Sequence, residues 1–135
     1  MENLVTFFET DVFARYLGVE LLEASEGRAK ARLEIRPHHL NSHAIVHGGV
    51  LFGLADVVFA VASNSYGVAA VAIHADISYF KATSEGVLTA EAKELSRSAK
   101  LASYTIHISD DKGKIVAAFQ GMVYRKEKRS EGKQK

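Results

Sequence analysis

From Arg28 to Arg36 apolar and charged residues alternate one by one. Ala29, Ala31, Leu33 and Ile35 take one side; Arg28, Lys30, Arg32, Glu34 and Arg36 take the other. A period of two predicts a strand with one face on a core and one in water. A partner strand over 19–24 precedes it, joined at Ser25-Glu26-Gly27, and Pro37 ends the pair. The same period returns four times after Gly67. Residues 69–79 put Val71, Ile73, Ala75, Ile77 and Tyr79 on one face; residues 87–96 set Leu88, Ala90 and Ala92 against Thr89, Glu91 and Lys93. Residues 100–109 alternate Ala102, Tyr104, Ile106 and Ile108 with polar neighbours, and residues 114–124 carry Ile115, Ala117, Phe119, Gly121 and Val123. Asp110-Asp111-Lys112-Gly113 predicts a hairpin turn between the last two. At the N-terminus, Leu4, Phe7, Phe8, Val12, Phe13 and Tyr16 recur at spacings near three and four, predicting a short amphipathic helix over 3–16 that Gly18 ends.

The stretch Asn41–Gly67 breaks this rhythm. After the glycine pair Gly48-Gly49, the run Val50, Leu51, Phe52, Leu54, Ala55, Val57, Val58, Phe59, Val61, Ala62 is apolar on almost every face of a helix. Such a helix must be wrapped by protein or lipid. Interrupted by Gly53 and Asp56, it falls short of the roughly 18–20 apolar residues a membrane span requires. It is therefore expected to be a buried central helix, with Asp56 as a carboxylate inside it. Two strands, a helix apolar all round and a long antiparallel meander predict an α+β fold: one antiparallel sheet curled around one helix. The exposed sheet edge and helix flank favour pairing of two subunits.

Two readings of Asp56 stand. It is a structural acid bonded to a backbone or basic group, or a catalytic acid or base whose pKa is set by burial. Gly48 and Gly49 lie where the helix should begin. Free N–H groups there, with the helix dipole, suit a developing negative charge. Asp56 lies eight residues beyond Gly48, about 12 Å along a helix axis. One reacting group cannot touch both on the same helix. If both serve one reaction, two antiparallel copies of the helix must supply them, and the motif implies a dimer with composite sites.

Composition adjusts the picture little. At 135 residues the chain fits one domain, assigned to 1–125, followed by a basic tail over 126–135. The net charge of +1 hides an uneven split: the tail from Arg125 is strongly basic and the body is net acidic, so the body is no platform for nucleic acid. Without cysteine, neither disulfides nor thiolate chemistry is available, which suits a reducing cytoplasm. The start MENLVTFFETD lacks the basic region of a secretory signal. No membrane association is expected.

Asn41, five residues, His47-Gly48-Gly49, then Leu54-Ala55-Asp56, then Asn64-Ser65-Tyr66-Gly67: this pattern resembles the signature of the PaaI-type (phenylacetic acid degradation) hotdog-fold acyl-CoA thioesterases. The similarity of strand pattern runs over roughly residues 15–125. The resemblance implies a hotdog fold, a homotetramer built from homodimers, and hydrolysis of an aromatic or medium-sized acyl-CoA thioester without cofactor or metal. It implies that Gly48 supplies an oxyanion donor with Gly49 assisting, and that Asp56 of the neighbouring subunit acts as nucleophile or general base. Asn41 and His47 match positions lining the family's site, and Asn64 and Ser65 border its acyl pocket.

Taken alone, several of these residues have plainer roles. Asn41 and His47 could cap a loop, and Ser63, Asn64 and Ser65 could end the helix. His39, His43 and His47 are spaced four apart, but they precede the helix and lack a carboxylate or Cys, so a metal site is not expected. Lys81, Arg97, Lys100 and Arg125 sit in or beside turns as ordinary surface charges. Two competing functions remain. A hotdog hydratase or dehydratase would use a His with an acidic partner, set in a Pro-rich motif in the acyl-carrier members, and this chain has only Pro37. A non-catalytic acyl-CoA-binding or dimerisation module would have no use for Asp56 near a glycine helix start.

Overall fold

The computed structural model describes residues 4–126. Six strands, β1 (Val19–Ser25), β2 (Arg28–Glu34), β3 (Ala70–Tyr79), β4 (Val87–Arg97), β5 (Leu101–Ser109) and β6 (Ile115–Arg125), form one antiparallel sheet in the order β1-β2-β4-β5-β6-β3. The long helix α3 (Gly48–Ser63) lies in its concave face, as expected. The alternating positions read from the sequence point inward. Ala29, Ala31, Leu33, Leu88, Ala90, Ala92, Tyr104, Ile106 and Ile108 are buried against Leu54, Val58, Phe59 and Val61 of the helix. Small residues on β2 and β4 let the helix lie close; the large ones on β5 and β6 fill the wider side. Phe59 packs against Phe119 and Tyr104 at ring-centroid separations of 5.5 and 6.0 Å. Gly121 leaves the room Phe59 occupies: a Cβ there would lie 2.5 Å from its ring.

Three expectations need correction. The N-terminal segment is two short helices, α1 (Leu4–Glu9) and α2 (Val12–Leu17), because Asp11 starts a helix of its own: its carboxylate accepts the Ala14 N–H at 2.9 Å. Gly18 ends α2 in the left-handed conformation, as the sequence indicates. The second correction concerns topology. Only β4, β5 and β6 run as a meander; β3 lies outside β6 at the sheet edge, so the β3–β4 connection crosses the sheet. The third concerns β3 itself. Its register slips between Ala72 and His74, which breaks the even alternation. Val71 and Ile73 are left exposed at the edge. Of the expected tail over 126–135, only Lys126 falls within the described residues; its N–H donates to the Ala69 carbonyl.

Candidate active site

The helix start is built by a tight loop. Leu40 and Val46 form an isolated bridge, and Ala44 takes φ +62° to close the turn between them. Asn41 organises it. Its side-chain oxygen accepts the N–H groups of His43 and Ile45 at 2.8 and 3.3 Å, while its backbone pairs with Ile45 and Ala44. The loop-capping role is therefore real, and it leaves the amide nitrogen of Asn41 without a partner among the described residues. His47 is the N-cap. Its Nδ1 accepts the Gly49 N–H at 2.9 Å, which puts the ring proton of the neutral form on Nε2.

This capping decides between the two glycines. Gly49 spends its N–H on His47, whereas the Gly48 N–H has no partner among the described residues. The Gly48 carbonyl is held by the Tyr79 hydroxyl, which donates at 3.2 Å. Gly48 opens onto a cleft of about 380 Å³ lined by Asn41, Ile45, Val46, Leu51, Tyr79, Phe80 and Thr83 among others. The cleft thus has mostly apolar walls and a free backbone donor at a helix N-terminus. The Thr83 hydroxyl, hidden from solvent, also lacks a partner among the described residues.

Asp56 is not inside the core, contrary to the expectation. Within one chain the helix leaves a narrow stripe uncovered, Gly49, Phe52 and Asp56, and the carboxylate stands on it, exposed. Side chains at i, i+3 and i+7 share a helix face, so an apolar run can carry one open stripe that a residue-by-residue reading overlooks. Asp56 makes no hydrogen bond or ion pair among the described residues. The protein packed around its base still strips some of its water. That desolvation, with the Asp11 carboxylate second, pushes its pKa above the usual value. Asp56 does not line the Gly48 cleft.

The thioesterase-superfamily family model matches residues 43–117, which span the loop, α3 and most of the sheet. The chain belongs to the thioesterase superfamily. It is 36% identical over 125 residues to the acyl-coenzyme A thioesterase PaaI of Escherichia coli, covering 92% of this chain and 89% of that one. The solved structure of the E. coli PaaI protein superimposes with a TM-score of 0.89 at 35% identity, over 93% of this chain and 92% of that chain. A Thermus thermophilus structure matches at TM-score 0.81 and 39% identity, over 85% and 97% of the two chains. The fold is the hotdog fold, and this member is a thioester hydrolase of the PaaI type.

In this thioesterase Asn64 and Ser65 hold the end of α3. Asn64 donates to the Ala60 carbonyl and accepts the Ala70 N–H, tying the helix to β3. Ser65 is fully buried; its hydroxyl donates to the Ala62 carbonyl and accepts the Gly27 N–H, both at 2.7 Å. Of the three spaced histidines, His39 is buried as a neutral strut. It accepts the Arg36 N–H and bonds the Leu17 carbonyl at 2.8 Å, and desolvation lowers its pKa. His43 is exposed and His47 caps the helix. Among the described residues no cluster of three or more His, Cys, Asp or Glu could hold a metal ion, and no helix is long and apolar enough to cross a membrane.

The sequence reading passed over Tyr79 and Thr83 as site residues. Tyr79 was legible only as a strand residue, since its bond to Gly48 joins positions 31 apart. Lys81 also lines the cleft, but its ammonium is paired with Asp110.

Proposed function

We propose that this thioesterase hydrolyses an acyl-CoA thioester to the free carboxylic acid and CoA, at a site shared by two copies of the chain. One observation carries the reading. A single helix presents an unpartnered Gly48 N–H at its start and an unpaired Asp56 carboxylate two turns on, too far apart to meet in one chain. Two antiparallel helices bring the Gly48 of one copy to the Asp56 of the other. The exposed edge of β3, with Val71 and Ile73, and the exposed Phe52 beside Asp56 give such a pair its contact surface.

The thioester carbonyl oxygen accepts the Gly48 N–H and the helix dipole adds to it. Asp56 of the second copy takes a proton from a water whose oxygen attacks the carbonyl carbon. The negative charge gathers on the oxygen facing Gly48, the C–S bond breaks, and the CoA thiolate leaves and is protonated. Direct attack by Asp56, through a mixed anhydride that water then cleaves, uses the same two groups. His47 fixes the Gly49 amide so that Gly48 alone points outward. Asn41 shapes the loop and offers its amide nitrogen to the substrate or water. Asn64 and Ser65 act at one remove, by fixing the end of α3.

The apolar walls of the cleft suit an aromatic or medium-sized acyl group, and the E. coli relative is an acyl-CoA thioesterase. The working unit in this reading is a homodimer within a homotetramer, acting in the cytoplasm on CoA thioesters such as phenylacetyl-CoA. The test is Asp56→Asn assayed for free thiol release over a panel of acyl-CoAs. The expected protein folds and dimerises but loses nearly all turnover; wild-type-like rates end the proposal.

A further inference from the structure

The helix α2 is pinned against the middle of α3 at the one position there without a side chain. A Cβ on Gly53 would lie 2.9 Å from Leu17 Cδ1 and 3.0 Å from Phe13 Cε2. Leu17 is buried, its carbonyl is held by His39, and Asp11 and Gly18 cap the two ends of α2. Phe13 is therefore held in place, yet it remains 55% exposed. The edge of its ring, Cε2 and Cζ, is what meets Gly53, and the rest of the ring is left open to solvent. Gly53 precedes Asp56 by one helical turn and shares its side of α3.

We propose that Phe13 is a specificity-determining residue: its exposed ring face forms a wall for the acyl group of the thioester reacting at Asp56. This rests on the catalytic reading of Asp56 and adds the element that selects the acyl group. A flat, fixed ring accepts an aromatic acyl group edgewise or in stack, and blocks the space a longer, flexible chain would fill. The apolar walls of the Gly48 cleft, from the other copy, face the same acyl group from the opposite side, and α2 supplies the wall that selects it.

The experiment compares wild type, Phe13→Ala and Phe13→Leu on acetyl-, phenylacetyl- and octanoyl-CoA, with oligomeric mass followed by light scattering. Truncation of a pocket wall shifts discrimination by about tenfold or more. The ratio of kcat/KM for phenylacetyl- over octanoyl-CoA should fall by about that factor in Phe13→Ala, at unchanged oligomeric mass. Phe13→Leu keeps the packing on Gly53 and should move the ratio in the same direction by less; it is the deciding variant if Phe13→Ala does not fold. A change in rate that is the same for all three thioesters, with or without a change in mass, overturns the inference and leaves Phe13 a packing residue. Asp56→Asn is run on the same panel. If it is inactive while the Phe13 variants keep the wild-type ratio, only the role of Phe13 fails; if it is active, the catalytic reading fails first.

Discussion

Replacing Gly48 by proline removes one hydrogen and little else. Proline has no N–H, and Gly48 is the first residue of α3, a position where proline fits the helix. The preceding His47 already has the extended backbone that proline requires, with φ −63° and ψ 138°. No hydrogen bond of the fold is lost, because the Gly48 N–H has no partner among the described residues. The steric demand falls on one exposed side chain: an added Cβ would lie 3.1 Å from the Tyr79 hydroxyl and 3.2 Å from its Cζ, so the ring must yield slightly in both variants. Loss of an oxyanion donor typically costs about 3–4 kcal/mol of transition-state stabilisation, or about 10²–10³ in kcat. Gly48→Ala is the control, since it adds the same Cβ and keeps the N–H. Steady-state kinetics with thermal melts should show Gly48→Pro melting near wild type with kcat lowered about 10²–10³-fold. Gly48→Ala should retain most of its activity. A folded Gly48→Pro enzyme with kcat within a few-fold of wild type would refute the reasoning, and so would equal losses in the two variants.

Further outcomes follow from the same geometry. Ser65→Ala strands the buried Gly27 N–H, so it should cost about 1–3 kcal/mol of stability in urea unfolding and leave kcat/KM unchanged. Unchanged stability with a lower kcat/KM would return Ser65 to the substrate. Burial and the Asp11 charge both raise the Asp56 pKa, and the base must be ionised to act. Activity should therefore fall with decreasing pH along an acid limb above the usual carboxylate value of about 3.9. Asp11→Asn preserves the helix cap but removes the like charge, so the limb should move to lower pH; an unmoved or raised limb would contradict this.

The strands and the central helix could be read from the sequence because their periods are local properties of the chain. Ala29, Ala31 and Leu33 fall on the core face for the same reason that Leu88, Ala90 and Ala92 do. The start of α3 was equally legible, since the glycine pair and the preceding polar loop mark it. Two features were not. The position of β3 outside β6 depends on which edge the returning chain reaches, and no residue within β3 encodes it. Asp56 was assigned to the interior because an apolar helix was taken as covered on all sides. One sheet covers only part of a cylinder, and the remaining stripe is settled by tertiary packing. For Ser65 and Asn64 a helix-ending role and a site motif were both legible, and their hydroxyl and amide groups do join the end of α3 to β3 and to the turn at Gly27. A motif records which residues occur together, and it does not separate those that touch substrate from those that hold the touching residues still. Asp11 was the one missed signal that lay in plain view: an acid three residues before Ala14 is an ordinary helix start.

The claim that the site is shared has a direct test in mixed dimers. Asp56→Asn and Gly48→Pro chains are prepared separately, each nearly inactive, then unfolded and refolded together in equal amounts. In a shared site, a mixed dimer has one site with both defects and one with neither. Random pairing makes half the dimers mixed, each with one intact site, so about a quarter of the wild-type rate per chain should return. If each chain carried its own complete site, every site in the mixture would remain defective. Activity no higher than that of the separate variants, in a sample shown to contain mixed dimers, would contradict the account.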